Sequence, residues 1–172
     1  MMHLKPFLRC LLFLTPAICL SNSLKAAEEA SPEAVSAPVL EYVFEAHVLI
    51  DSTVEVGTTA RGKQRYIPIR GGHFEGAGMK GEVLPGGADW QTERYDGVTE
   101  LDALYSIRCD DGTVIIVHNQ GIIADGGRYL RTTPVFSAPE GKYTWLNSKQ
   151  FVGTVSGSNE PNTVIIRFYM VR

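Results

Sequence analysis

The chain has 172 residues, 44% of them hydrophobic and 20% charged, with a formal net charge of −3. That is enough apolar material for one domain with its own core. Residues 1–26 hold Lys5, Arg9 and Lys25 and no acid, so the chain without them carries −6; it lacks the Lys/Arg clusters that nucleic-acid backbones and anionic membranes require.

The first segment reads as a secretory signal peptide over residues 1–26: a basic start from Met1 to Arg9, an apolar run from Cys10 to Leu20, and small residues at Ala26-Ala27. The apolar run falls short of the roughly 20 residues a membrane span needs. A periplasmic or secreted protein is expected. Cys10 and Cys19 lie in this leader, which leaves Cys109 alone in a compartment that favours disulfides. Its expected role is that of a small buried hydrophobe. Residues 27–39, rich in Ala, Glu, Ser and Pro, read as a flexible tether, and residues 40–172 as a single domain.

Within that domain apolar residues recur at every second position, and no window holds a helical apolar stripe. The expected strands run from Leu40 to Ile50, Gln64 to Ile69, Met79 to Leu84, Trp90 to Tyr95, Leu101 to Cys109, Thr113 to Asn119, Tyr129 to Phe136, Trp145 to Val155 and Thr163 to Val171. Turn chemistry separates them: Asp110-Asp111-Gly112 is a hairpin signal, and Pro85-Gly86-Gly87, Asp96-Gly97, Gly126-Gly127, Pro139-Glu140-Gly141 and Ser156-Gly157 punctuate the rest. The fold class is all-β. So many antiparallel strands in a small domain leave exposed edges unless they close, which points to a compact β-barrel of about 8–10 strands, with a two-sheet sandwich as the alternative.

The glycine-dense run from Gly71 to Gln91 follows the alternation Arg65-Tyr66-Ile67-Pro68-Ile69, so Gly71-Gly72 is expected to form a bulge or corner. No helix follows it, which disfavours a phosphate loop. Alternation puts Arg65 on one face with Ile67 and Ile69; if that face is inward, the guanidinium needs a carboxylate or an anionic ligand. Asp89 and Trp90 place a carboxylate and an aromatic surface at a strand entrance. Asp102 shares its parity with Leu104 and lies opposite Tyr105. The two aspartates are the acid or base candidates and the candidate partners of Arg65 and Arg131, though turn capping and structural ion pairs are the commoner use of such residues. Tyr129, Arg131 and Thr133 share a face that reads as solvent-exposed. Tyr143, Trp145 and Asn147 together read either as a surface for a flat organic ligand or as packing. His73, beside Glu75, is the best-placed histidine for carrying a proton, and faces inward with Arg65 only if the glycines leave the register unshifted. His47, His73 and His118 show no metal-ligand spacing, and no motif implies a cofactor. The absence of a GxSxG elbow disfavours covalent hydrolysis.

Taken together, Gly71-Gly72-x-Phe74, GEVLPGGADWQ from Gly81 to Gln91, LDALYSI from Leu101 to Ile107, DDG from Asp110 to Gly112, YLRTTPVF from Tyr129 to Phe136, YTWLN from Tyr143 to Asn147 and FVG from Phe151 to Gly153 resemble the uncharacterised family called domain of unknown function 3237, the UPF 0311 group. The resemblance covers the chain from about Leu40 to Arg172. It implies a compact antiparallel β-barrel with no settled activity, and a shared site drawn from Arg65, Asp89, Trp90, Asp102, Tyr105, Arg131, Trp145 and Asn147. The leader and His73 depart from many relatives.

The leading functional expectation is an exported barrel that binds a small aromatic or carboxylated molecule, oriented by Arg65 or Arg131 and stacked on Trp90 or Trp145. The second is a cofactor-independent lyase or isomerase in which Asp89 or Asp102 moves a proton while an arginine and Tyr105 stabilise negative charge. The third is a structural domain that self-associates as a homo-oligomer.

Overall fold

Alternating side chains make each strand of this chain two-faced, and antiparallel pairing around a closed ring brings all the apolar faces to one interior. The computed structural model describes residues 37–172. The expected leader and nearly all of the tether lie outside the described residues.

Ten strands follow in order: β1 Leu40–Ile50, β2 Val54–Thr59, β3 Gly62–Gly76, β4 Met79–Val83, β5 Ala88–Glu93, β6 Thr99–Cys109, β7 Val114–Ala124, β8 Tyr129–Ser137, β9 Phe151–Gly157 and β10 Thr163–Val171. Eight of them form the ring β1-β10-β9-β8-β7-β6-β4-β3, and antiparallel pairing of β1 with β3 closes it. β5 takes over from β4 between β3 and β6, and β2 adds an outer strand to β3. The protein is therefore a closed antiparallel β-barrel, not a sandwich.

The long strand β3 is the pivot of this arrangement. Its first half pairs with β2 and β5, its second half with β1 and β4. Between the halves the pairing with β1 slips: Ile50 faces Ile69 but Leu49 faces Gly71, leaving Arg70 as an extra residue. Gly71 and Gly72 take φ values of 139° and 137°, a region in which a side chain is strained. The expected corner at Gly71-Gly72 is thus a bulge within a continuous strand.

Other differences from the sequence expectation have similar local causes. The run from Gln64 to Ile69 extends from Gly62 to Gly76, because glycine here bends a strand without ending it. β2 was not expected; its valines, Val54 and Val56, are exposed, so no buried face marks it. The single strand expected from Trp145 to Val155 is in fact a 3-10 turn, Thr144–Ser148, followed by β9.

The interior divides into two halves. Around Phe44 a cluster of rings fills one half: Phe168 stacks on it at 4.4 Å, and Phe74 and Phe136 lie at 5.4 and 5.9 Å. Ile107, Ile115 and Cys109 pack with them, and Tyr143 and Leu146 of the 3-10 turn segment complete this cluster. Cys109 is buried, as the sequence implies. In the other half most wall residues are Val, Ile, Leu and Ala, too small to meet across the ring.

Closure at the bulge generates a stability prediction. A Cβ on Gly72 would collide with the His47 carbonyl oxygen across the β1–β3 seam, and φ is positive there. Gly72→Ala should lower the unfolding free energy by about 3 kcal/mol or more. Gly157→Ala, where nothing lies within 4 Å, should stay within about 0.5 kcal/mol of the parent in urea unfolding.

Candidate functional site

The small wall residues leave a cavity of about 260 Å³ inside the barrel. Most of its lining is aliphatic, from Val48, Ile50, Ile67, Ile69, Ile123, Leu130, Val155, Val164 and Ile166. One side is polar, formed by Asp89, Gln91, Tyr105, Asn119 and Thr132.

Strand register explains that polar side. Asp89 faces Ala103, which faces Asn119, so one row across β5, β6 and β7 sets a carboxyl and an amide on either side of a methyl group. Two strand spacings separate the ends of the row, about 9–10 Å. The next row runs Arg65, Gln91, Leu101, Gly121, Thr132. On the other side of the first row, Tyr105 pairs with Val117. Four neutral polar residues of this side are nearly sealed from bulk solvent, Gln91 at 8% exposure, Tyr105 at 4%, Asn119 at 3% and Thr132 at 2%, whereas Ser156, which also lines the cavity, is exposed.

Their hydrogen bonding is incomplete. Tyr105 Oη, Asn119 Oδ1 and Thr132 Oγ1 are buried with no partner, three of four such side-chain atoms among the described residues. Buried polar atoms are nearly always paired, so three orphans around one cavity form an unusual concentration.

Asp89 is held differently. Gln91 Nε2 donates to its Oδ2 at 2.6 Å, and the Asp102 backbone N–H donates to its Oδ1 at 3.2 Å. Arg65 Nε donates to Gln91 Oε1 at 2.8 Å. Because arginine only donates, it fixes the Gln91 amide with its nitrogen toward Asp89. Burial raises the Asp89 pKa above its ordinary 3.8, against the lowering effect of the Gln91 and Asp102 hydrogen bonds. Burial, with Asp89 adding to it, pushes the Tyr105 phenol far up, so it stays a protonated donor.

The sequence candidates separate on this geometry. Asp89 and Tyr105 line the cavity, and Arg65, half-buried on the same face of β3 as Ile67, reaches it only through Gln91. Asp102, Trp90 and His73 point outward. Asp102 Oδ1 pairs with His118 Nε2 at 2.5 Å on the outer face, half exposed. Trp90 is 53% exposed and packs on Tyr66 at 4.5 Å. His73 stacks on His47 at 4.6 Å outside the barrel, because the extra residue Arg70 reverses the parity of β3. Arg131 is exposed, its Nη1 donating to the Leu130 carbonyl and its guanidinium lying 5.6 Å from the Tyr129 ring; it pairs with neither aspartate. Trp145 packs on Phe151 at the filled half. Asn147 clamps a loop, accepting from the Ala138 N–H and donating to the Ala138 carbonyl, both at 2.8 Å.

Sequence reasoning missed Gln91, Asn119 and Thr132. The signal was parity: Asn119 continues the buried positions Ile115 and Val117, and Thr132 alternates with Phe136, so each is a polar residue on an inward face. Among the described residues no three His, Cys, Asp or Glu side chains are grouped as a metal ion would need.

The family described as Protein of unknown function (DUF3237) matches residues 38–171. The chain belongs to this family. A UPF0311 protein of Clostridium acetobutylicum is 34% identical over 148 residues, covering 76% of this chain and 92% of that protein. The crystal structure of a conserved protein of unknown function from Rhodopseudomonas palustris superposes with a TM-score of 0.74 at 32% identity, covering 80% of this chain and all of that one. A further structure, described as an enzyme from Penicillium herquei, gives a TM-score of 0.67 at 25% identity, covering 80% of this chain and 97% of that one.

The Asp89 environment makes a pH prediction. Its native pKa is raised, so between pH 3.8 and that higher value the native state holds a proton the unfolded state has lost. Stability due to Asp89 is then greatest below pH 3.8 and falls as pH rises through that window. The difference in unfolding free energy between the parent and Asp89→Asn should decline over this range, measured by urea unfolding at stepped pH. A difference that does not change with pH would show that the carboxyl titrates normally.

Proposed function

We propose that this protein, which belongs to an uncharacterised β-barrel family, binds a small organic molecule in the barrel cavity. The observation that carries the reading is the meeting of three unpartnered buried polar atoms, on Tyr105, Asn119 and Thr132, in one largely aliphatic cavity. Leaving such atoms unpaired costs about 1–3 kcal/mol each, and a ligand that supplies partners recovers it. An aliphatic wall with few convergent polar groups is the usual composition of a small-molecule site. The leader expected over residues 1–26 fits a binder working in the periplasm or outside the cell.

The test is a thermal-shift screen of small aromatic and alicyclic compounds against the parent and Ala103→Leu. Ala103 lies between Asp89 and Asn119, so a leucine there would occupy ligand space. At saturating compound the parent should gain several degrees in Tm, as about 100-fold excess over Kd contributes about 2.7 kcal/mol. Ala103→Leu should keep its own Tm and lose the gain. Equal gains in both proteins would place binding outside the cavity.

Asp89 supports a second reading, proton transfer on the bound molecule. It is a desolvated carboxyl with a raised pKa at the cavity wall, and each of its oxygens keeps a lone pair beyond the bonds described. The unpartnered Tyr105 hydroxyl could then hold a carbonyl oxygen as charge develops on it. The neighbouring fold described as an enzyme is consistent with this chemistry. A bound ketone should exchange its α-hydrogens for deuterium in D2O, seen by proton NMR, and Asp89→Asn should slow that exchange about 100-fold. Exchange unaffected by the substitution would remove Asp89 from that role.

A further inference from the structure

We propose that the cavity selects uncharged molecules carrying both a hydroxyl and a carbonyl, and rejects carboxylates of the same size. This rests on the reading of the cavity as a ligand site and names the chemistry it would take.

The first support is charge. Among the described residues no lysine, arginine or histidine lines the cavity, and its one carboxyl is Asp89. Arg65 stands behind Gln91, its Nε committed to that amide. An anionic ligand would shed its water with no counter-charge at the wall and with a carboxyl already present, an unfavourable transfer. A cationic ligand gains little from Asp89, whose oxygens already accept from Gln91 and Asp102 and whose burial disfavours the charged form.

The second is the inventory of unused hydrogen bonds. The Tyr105 hydroxyl is a free donor and asks for an acceptor such as a carbonyl. The Asn119 amide lacks a partner on its oxygen and asks for a donor such as a hydroxyl. Thr132 Oγ1 can serve either. Turning the Asn119 amide over leaves it a neutral group with an acceptor oxygen and a donor NH2, so the demand for an uncharged partner stands.

The third is size. A volume of about 260 Å³ lies just under the range of roughly 300–1,000 Å³ seen for drug-sized ligands. One ring with short substituents fills it.

Four compounds of one shape separate the possibilities: 4-hydroxyacetophenone, 4-hydroxybenzoate, tyramine and 4-ethyltoluene. They are titrated calorimetrically at pH 7 into the purified protein, Ala103→Leu and Tyr105→Phe. The expected result is that 4-hydroxyacetophenone binds about tenfold or more tighter than each of the others. Tyr105→Phe, which removes a hydroxyl without a partner in the fold, should weaken it about fivefold or more and leave 4-ethyltoluene unchanged. Tightest binding by 4-hydroxybenzoate, tyramine or 4-ethyltoluene, lost in Ala103→Leu, would overturn this selectivity and leave the ligand site standing. Binding of none of the four, or binding insensitive to Ala103→Leu, would overturn both.

Discussion

Everything in this barrel depends on the pairing of β1 with β3, because that seam turns a sheet into a ring and gives it an inside. Eight staves enclose an interior that side chains can only just fill. Whether a cavity exists is then decided by side-chain size at each level. Where Phe44, Phe74, Phe136 and Phe168 meet, the space is full. Where Val48, Ile69, Ala103 and Val155 face one another, it is not. The seam itself needs glycine, since β1 and β3 approach so closely at Gly72 that even a methyl group would strike backbone.

Polarity inside the ring follows from the same geometry. A residue on an inward face cannot turn to solvent, so each polar residue there must find a partner within reach. Arg65, Gln91 and Asp89 do so in a chain along β3 and β5, with direction set by the donor-only guanidinium. Tyr105, Asn119 and Thr132, across β6, β7 and β8, do not. The cavity wall is therefore satisfied on one side and unsatisfied on the other. Its ordered part holds a carboxyl in place; at its unsatisfied part any polar atom that supplied a partner would gain most.

Much of the fold was legible from alternation alone. β1 and β10 match their expected limits and β6 and β8 lie within two residues of theirs, because one face of each is buried and the other wet, while β7 runs five residues beyond its expected end at Asn119. β2 escaped notice because it buries neither face, and the second half of β3 because glycine reads as a break when it only permits a bend. The site was less legible. Parity groups Arg65 with Ile67 and Ile69 and sets Tyr105 on the face opposite Asp102, but does not say which of those two is inward; the outward turn of His73 depends on one extra residue, Arg70, which no local pattern reveals. The glutamine, asparagine and threonine passed unremarked because neutral polar residues were weighed by their chemistry and not by the face they occupy.

That oversight shows why family motifs do not by themselves delimit a site. LDALYSI runs along β6 and ADWQ along β5, so half of each motif points into the barrel and half to the outside. Asp89 and Gln91 face the cavity while Trp90 between them lies against Tyr66 on the surface. Ala103 and Tyr105 line the cavity while Asp102 binds His118 outside. Two aspartates with equal claims in sequence thus acquire opposite environments, and the difference follows from the pleat. Asp102 keeps its hydration and adds a surface pair of modest value. Asp89 loses water on entering the ring, and what remains of its charge is governed by Gln91, the Asp102 N–H and the more distant Arg65. Any chemistry or selectivity in this fold is therefore a property of the inward half of each motif, and conservative changes there alter the cavity more than drastic ones a single residue away.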